Sequence, residues 1–166
     1  MTHLLGVDPG KQGAIAIITN TGHLVDVVDM PDVTGAALGA AIRTLLDDWS
    51  PNEFAAAWIE EVGSRPGQGH MNVWTFAKNY GGLLASFGAL GIPVHHVTTA
   101  AWRKTNRITT PASVPKDRKK AEGKRLSRQR ATELWPEHAG LFRRVKDDGR
   151  AEAALIARHG LFVGEV

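Results

Sequence analysis

Between residues 34 and 61 the hydrophobic period changes twice, and no other stretch constrains the fold as strongly. Leu38, Ile42, Leu45, Leu46 and Trp49 recur every three or four positions, which predicts an amphipathic helix over 35–49, stopped by Ser50-Pro51. The run FAAAWI at 54–59 is unbroken by polar residues and predicts a buried strand that leads straight into Glu60-Glu61. A strand-helix-strand crossover of this length returns the chain parallel to the strand it left. The partner is the first apolar run, HLLGVD at 3–8, closed by the turn signal Pro9-Gly10. Glu60 is therefore expected at the same sheet edge as Asp8, neighbouring strands being about 4.8 Å apart. Alone, Asp8 could equally cap the turn through its own backbone.

The remaining segments extend this sheet. Residues 13–19 (GAIAIIT) and 23–30 (HLVDVVDM), joined through Asn20-Thr21-Gly22, predict a meander with the first strand. IPVHHV at 92–97 predicts a fifth strand. A long helix over 71–90 carries Val73, Phe76, Ala77, Tyr80, Leu83, Leu84, Phe87 and Leu90 on one stripe, most of it expected in the core. Gly81-Gly82 inside it suggests close approach by another backbone, either the sheet or a second subunit. Thr98 or Thr99 caps a short helix with Trp102, Arg103 and Lys104, after which 107–120 reads as a mobile basic loop. A helix over 121–135 is expected to turn Leu126 and Leu134 inward and Lys124, Arg125 and Arg128 outward, and a last helix runs from Gly149. The expected fold is α/β, one domain over 1–166, with a five-stranded mixed sheet (strands 1–3 antiparallel, then 4 and 5 parallel) flanked by helices.

The last helix opens with two acids on one face. Asp148 and Glu152 are four apart and repel, Arg150 leans to another side, and a divalent cation is a natural partner; an acidic helix start favoured by the helix dipole is the alternative. Charge elsewhere is segregated. From Arg103 to Arg130 eleven Lys or Arg face only Asp117 and Glu122, an excess of nine, although the whole chain is only +3. That segment suits a polyanion, by default nucleic acid, and Arg103, Lys104, Arg107, Lys119, Lys120, Lys124, Arg125 and Arg128 are its candidate contacts. Arg65, with Gln68 and His70, is a further candidate in the Gly- and Pro-rich segment after Glu60. With no cysteine, disulfides and thiolate chemistry are excluded, and the seven histidines show no ligand spacing. No phosphate-binding glycine loop, nucleophile elbow or dinucleotide fingerprint occurs, so no small-molecule cofactor is expected. Without a leader or an apolar run near 18 residues, a cytoplasmic location away from membranes is expected.

In order, GVDPG, WIEEV, the basic GKRLSRQRATELWP and KDDGRAEAALIA resemble the RuvC family of Holliday-junction resolvases, within the RNase H-like superfamily, and the likeness runs through nearly the whole chain. It implies an RNase H-like fold in which Asp8, Glu60, Asp148 and Glu152 bind metal and Lys124 stands near the scissile phosphate. Bacterial members space the final acids three apart, and Asp is commoner than Glu at the last, so Asp147 is an alternative to Asp148. The implied activity is that of a crossover junction endodeoxyribonuclease of DNA recombination and repair. Two Mg²⁺ or Mn²⁺ ions about 3.5–4 Å apart serve the hydrolysis, leaving a 5′-phosphate and a 3′-hydroxyl. Symmetric paired nicks in branched DNA imply a homodimer, with 71–90 the leading interface, and the short chain suits a phage-borne enzyme acting in the host cytoplasm. Alternatives are an RNase H-like nuclease of other specificity (branched DNA or ribosomal-RNA precursors) and a non-catalytic DNA-binding module; a nucleotide-binding protein of the actin and sugar-kinase superfamily would need two lobes.

Overall fold

A computed structural model describes residues 2–33, 36–61, 63 and 70–164, with the side chains of residues 36 and 70–72 outside the description. Five strands, β1 (His3–Asp8), β2 (Ala14–Thr19), β3 (Leu24–Asp29), β4 (Phe54–Glu60) and β5 (Val94–Val97), form one sheet in the order β3-β2-β1-β4-β5. β1, β2 and β3 pair antiparallel, whereas β1 with β4 and β4 with β5 pair parallel, as the crossover through α1 (Ala36–Leu45) requires.

The period-two alternation of β1 sorts its side chains between two cores. Leu5 and Val7 join Ile15, Ile17, Ala57 and Ile59 under α1 and α2 (His70–Ala89), with Leu38, Ile42, Leu83 and Phe87. Leu4 faces the opposite layer, with Ala56, Trp58 and the helices α3 (Thr99–Thr105), α4 (Lys119–Leu134) and α5 (Asp148–Val163). Asp8 is two steps on from Gly6 and Glu60 two on from Trp58, so both acids point to the α5 side. The register of β1 and β4 pairs Val7 with Ile59, and its next step sets Asp8 beside Glu60.

α5 is buried along almost its whole length because it is narrow. Ala151, Ala153, Ala154 and Ala157 are fully buried, and a Cβ at Gly6 would lie 2.1 Å from the Ala153 carbonyl and 2.2 Å from the Ala157 nitrogen. Helix backbone thus rests directly on β1. At its other end Gly149 abuts the Gln12 carbonyl, where a Cβ would come within 2.1 Å. These two contacts deliver the start of α5 to the edge where β1 ends.

Several expectations change. α4 buries Gly123, Ser127 and Ala131, a small-residue stripe every four positions in which Gly123 faces the Arg103 side chain and Ser127 bonds Glu152 of α5, while Leu126 and Leu134 are only partly buried at its side. α4 also begins at Lys119, inside the segment expected to be a loop. In α2 only Leu83 and Phe87 of the expected stripe are fully buried; Val73, Phe76 and Tyr80 are half-exposed, Ala77 is exposed, and Trp74 is 62% exposed. Nothing lies within 4 Å of a Cβ at Gly81, so close approach does not explain that glycine. Among the described residues no helix is long and apolar enough to cross a membrane.

Candidate active site

β1, β4, α4 and α5 bring the candidate acids together at one sheet edge. Asp8, Glu60, Glu152 and Lys124 line one cavity of about 610 Å³, which Glu61, Thr99 and Lys120 also border. Asp148, one turn before Glu152, faces an adjoining groove of about 940 Å³, and the Lys124 amine bonded to its Oδ2 borders both spaces.

Each acid is held differently. Glu60 Oε1 accepts from Thr99 Oγ1 at 2.7 Å and from Trp102 Nε1 at 2.9 Å, so α3 fixes it from the side. Glu152 Oε1 accepts from Arg103 at 3.3 Å and from Ser127 Oγ at 3.2 Å. Asp8 Oδ1 accepts the Gly10 N–H at 3.1 Å, a turn cap like the one the sequence offers as its alternative role, yet the carboxyl also borders the shared cavity. Its pKa is raised from 3.8 to about 7, first by burial, with the Glu152 and Glu60 carboxylates adding to that against the Gly10 bond. Burial likewise raises Glu152, opposed by Arg103 and reinforced by Glu60. Lys124 is raised: burial works against its charge, but Asp148, Glu152 and Asp8 outweigh it.

Asp147 and Asp148 part company because the 3-10 turn Val145–Asp147 ends where α5 begins. Asp147 accepts the Arg144 backbone N–H at 2.7 Å and pairs with its guanidinium at 2.9 Å, in a small pocket shared with Asp29 and not with Lys124. Arg150 pairs with Asp29 through two hydrogen bonds of 2.5 and 2.6 Å, so it leaves the acidic face as the sequence suggested.

Among the described residues no three His, Asp or Glu side chains already converge as ligands on one point. Glu152 and Asp148 instead face Arg103 and Lys124. The donor set nevertheless suits a hard divalent cation: every candidate ligand is a carboxylate oxygen, and Asp8 is protonated up to about pH 7 beside two further carboxylates, a repulsion that a cation would relieve.

The basic candidates separate into three groups. Lys120 and Lys124 border the acidic cavity, and Arg103 is turned inward to Glu152 with its side chain only 25% exposed. Arg125 and Arg128 line the adjoining groove, together with Arg118 and Lys146, which sequence reasoning did not nominate. Arg125 is partly engaged by Glu122. Lys104, Arg107 and Lys119 are exposed away from both spaces, and Arg65, Gln68 and the His70 side chain lie outside the described residues. Sequence reasoning also missed Thr99, Trp102 and Ser127, the donors that orient the acids.

The mixed five-stranded sheet with an acidic edge places the chain in the RNase H-like fold class. Within it, the chain is similar to Thermus thermophilus RuvC in complex with a Holliday junction substrate, at 15% identity and a TM-score of 0.60, covering 99% of this chain and 97% of that one. A second structure of Thermus thermophilus RuvC gives 15% identity and 0.59, covering 98% and 97%. No family model matches the chain, and no curated protein matches it significantly.

Proposed function

We propose that this chain is a RuvC-type resolvase: a single-domain, divalent-metal-dependent endonuclease that cuts four-way DNA junctions. The observation that carries the reading is the meeting of Asp8, Glu60, Glu152 and Lys124 in one cavity, continuous through Lys124 and Gln12 with a groove lined by Arg118, Arg125, Arg128 and Lys146. Carboxylates repel a phosphodiester and a basic groove attracts one, so side by side they suit metal-assisted cleavage of a bound nucleic acid. The Thermus RuvC bound to a Holliday junction supports the substrate class, since the two chains share their fold over nearly their whole lengths.

In this reading Asp8, Glu60, Asp148 and Glu152 hold Mg²⁺ or Mn²⁺. When bound, the metal lowers the pKa of water and offsets charge on the phosphate oxygens. Trp102 and Thr99 fix Glu60 in one orientation, and Ser127 does so for Glu152. The Lys124 ammonium, between Asp148 and the acidic cavity, is placed to neutralise a phosphate oxygen, while the groove cations seat the flanking backbone. Two opposed cuts call for two copies, and α2 offers part-exposed Val73, Phe76 and Tyr80 with exposed Trp74 as the pairing face.

The test incubates the protein with a synthetic four-way junction, a plain duplex and a structured RNA, each with and without Mg²⁺, beside Glu60→Gln. Paired symmetric nicks in the junction alone, lost without metal and in the variant, are expected. Cleavage of the duplex or RNA instead points to a nuclease of other specificity, and binding without cutting points to a DNA-binding module.

A further inference from the structure

Arg103 is an unusual arginine for a basic segment. Its guanidinium is turned away from solvent to Glu152, its Nε is buried with no hydrogen-bond partner, and its carbon lies 5.2 Å from the Trp102 ring centroid. A slot in α4 admits it. Gly123 sits mid-helix, where glycine costs about 1 kcal/mol relative to alanine, and a Cβ there would lie 2.6 Å from one guanidinium nitrogen and 2.9 Å from the other. The single contact with Glu152, at 3.3 Å, is long for a charge-assisted hydrogen bond. The guanidinium is therefore seated by shape more than by a firm bond, and it stands against an acid whose carboxyl is also offered to the cavity shared with Asp8 and Glu60.

We infer that Arg103, seated in the Gly123 slot, is a built-in competitor for Glu152: it neutralises this carboxylate and yields it when a divalent cation binds, so it sets the cation affinity of the site from outside the ligand set. The inference rests on the metal-site reading above and deepens it. Two positive charges cannot share one buried carboxylate oxygen without repulsion, so the cation binds at the expense of the ion pair. Arg103 is a positioning residue here, acting through Glu152, and Gly123 is its seat.

Titration calorimetry with Mn²⁺ alone, with no DNA present, reads this directly, alongside melting curves with and without the ion. Arg103→Gln keeps a polar side chain of similar reach without the charge, and should bind Mn²⁺ roughly threefold to tenfold more tightly than the parent. Its melting temperature in EDTA should fall, because Glu152 keeps its burial and loses its counter-charge, so the gain on adding Mn²⁺ should widen. Gly123→Ala tests the slot from the other side: the methyl group displaces only the far end of a flexible side chain, the helix gains propensity, and Mn²⁺ affinity should rise in the same direction. The double variant should match Arg103→Gln alone in affinity, since the seat is irrelevant once its occupant is gone. Unchanged or weaker affinity in both single variants overturns the competition while leaving the metal site standing. Additive effects in the double variant overturn the link between slot and guanidinium. Absence of Mn²⁺ binding by the parent overturns both the inference and the metal-site reading.

Discussion

At the scale of single residues, Asp8 concentrates the electrostatic cost of the site. A carboxyl whose folded pKa is raised from 3.8 to about 7 binds more protons folded than unfolded across that window. Its favourable share of stability is complete below about pH 4 and is lost as pH climbs through about 7, and Glu152, also raised, acts in the same sense. Asp147 has the opposite sign: despite its burial, Arg144 holds it below the usual carboxylate range, and its contribution is lost on acidification. Melting in EDTA should therefore show stability declining from mildly acidic pH to about pH 8. Asp8→Asn should flatten that decline and raise the melting temperature at about pH 8 while abolishing metal-dependent cleavage; a variant that melts lower there would contradict the burial argument. Trp102→Phe keeps the buried ring and removes the N–H that orients Glu60. Cutting and Mn²⁺ affinity should both drop about tenfold or more, the usual scale for partners of ligating side chains. Stability should fall by about 1–2 kcal/mol for the lost bond, and unchanged affinity would show that the indole does not position the acid.

At the scale of elements, the arrangement depends on α5 lying flat on β1. Gly6→Ala puts a methyl group into helix backbone that has no flexible side chain to move aside, so it should cost about 1–3 kcal/mol or more in chemical denaturation. It should also tilt the α5 start away from Asp8, lowering activity further than the stability loss explains. Part of this level is legible in the sequence. The parity of HLLGVD and FAAAWIE puts Asp8 and Glu60 on one face, and the crossover puts them at one edge, because both rules depend only on local period and chain length. The packing of α4 is not legible in that way: a search for large apolar side chains selects Leu126 and Leu134, whereas the buried stripe consists of the small residues Gly123, Ser127 and Ala131, with Gly123 leaving room for the Arg103 side chain. The orienting donors are hidden for another reason. Trp102 meets Glu60 across 42 positions and Ser127 meets Glu152 across 25, and nothing in the neighbourhood of either donor announces its partner. The choice between Asp147 and Asp148 as site acid turns on one residue of helix boundary, the feature that periodicity fixes least well.

At the scale of the whole molecule, charge is sorted by place: carboxylates at the sheet edge, and Arg118, Arg125, Arg128 and Lys146 along the neighbouring groove. Junction affinity should fall steeply with salt, with a log-log slope near −0.9 for each phosphate neutralised. Lys146→Ala should shallow that slope by about one unit without altering cleavage of DNA already bound, and an unchanged slope would remove the groove from the DNA path. The direct seating of Ala153 and Ala157 on Gly6 has a consequence for biogenesis. β1 is made long before α5, so its α5-facing side stays uncovered until that helix has been synthesised, and under the proposed chemistry a chain stopped before α5 has two of its acids and no cutting centre. Chain order alone thereby ties assembly of the proposed cutting centre to completion of α5.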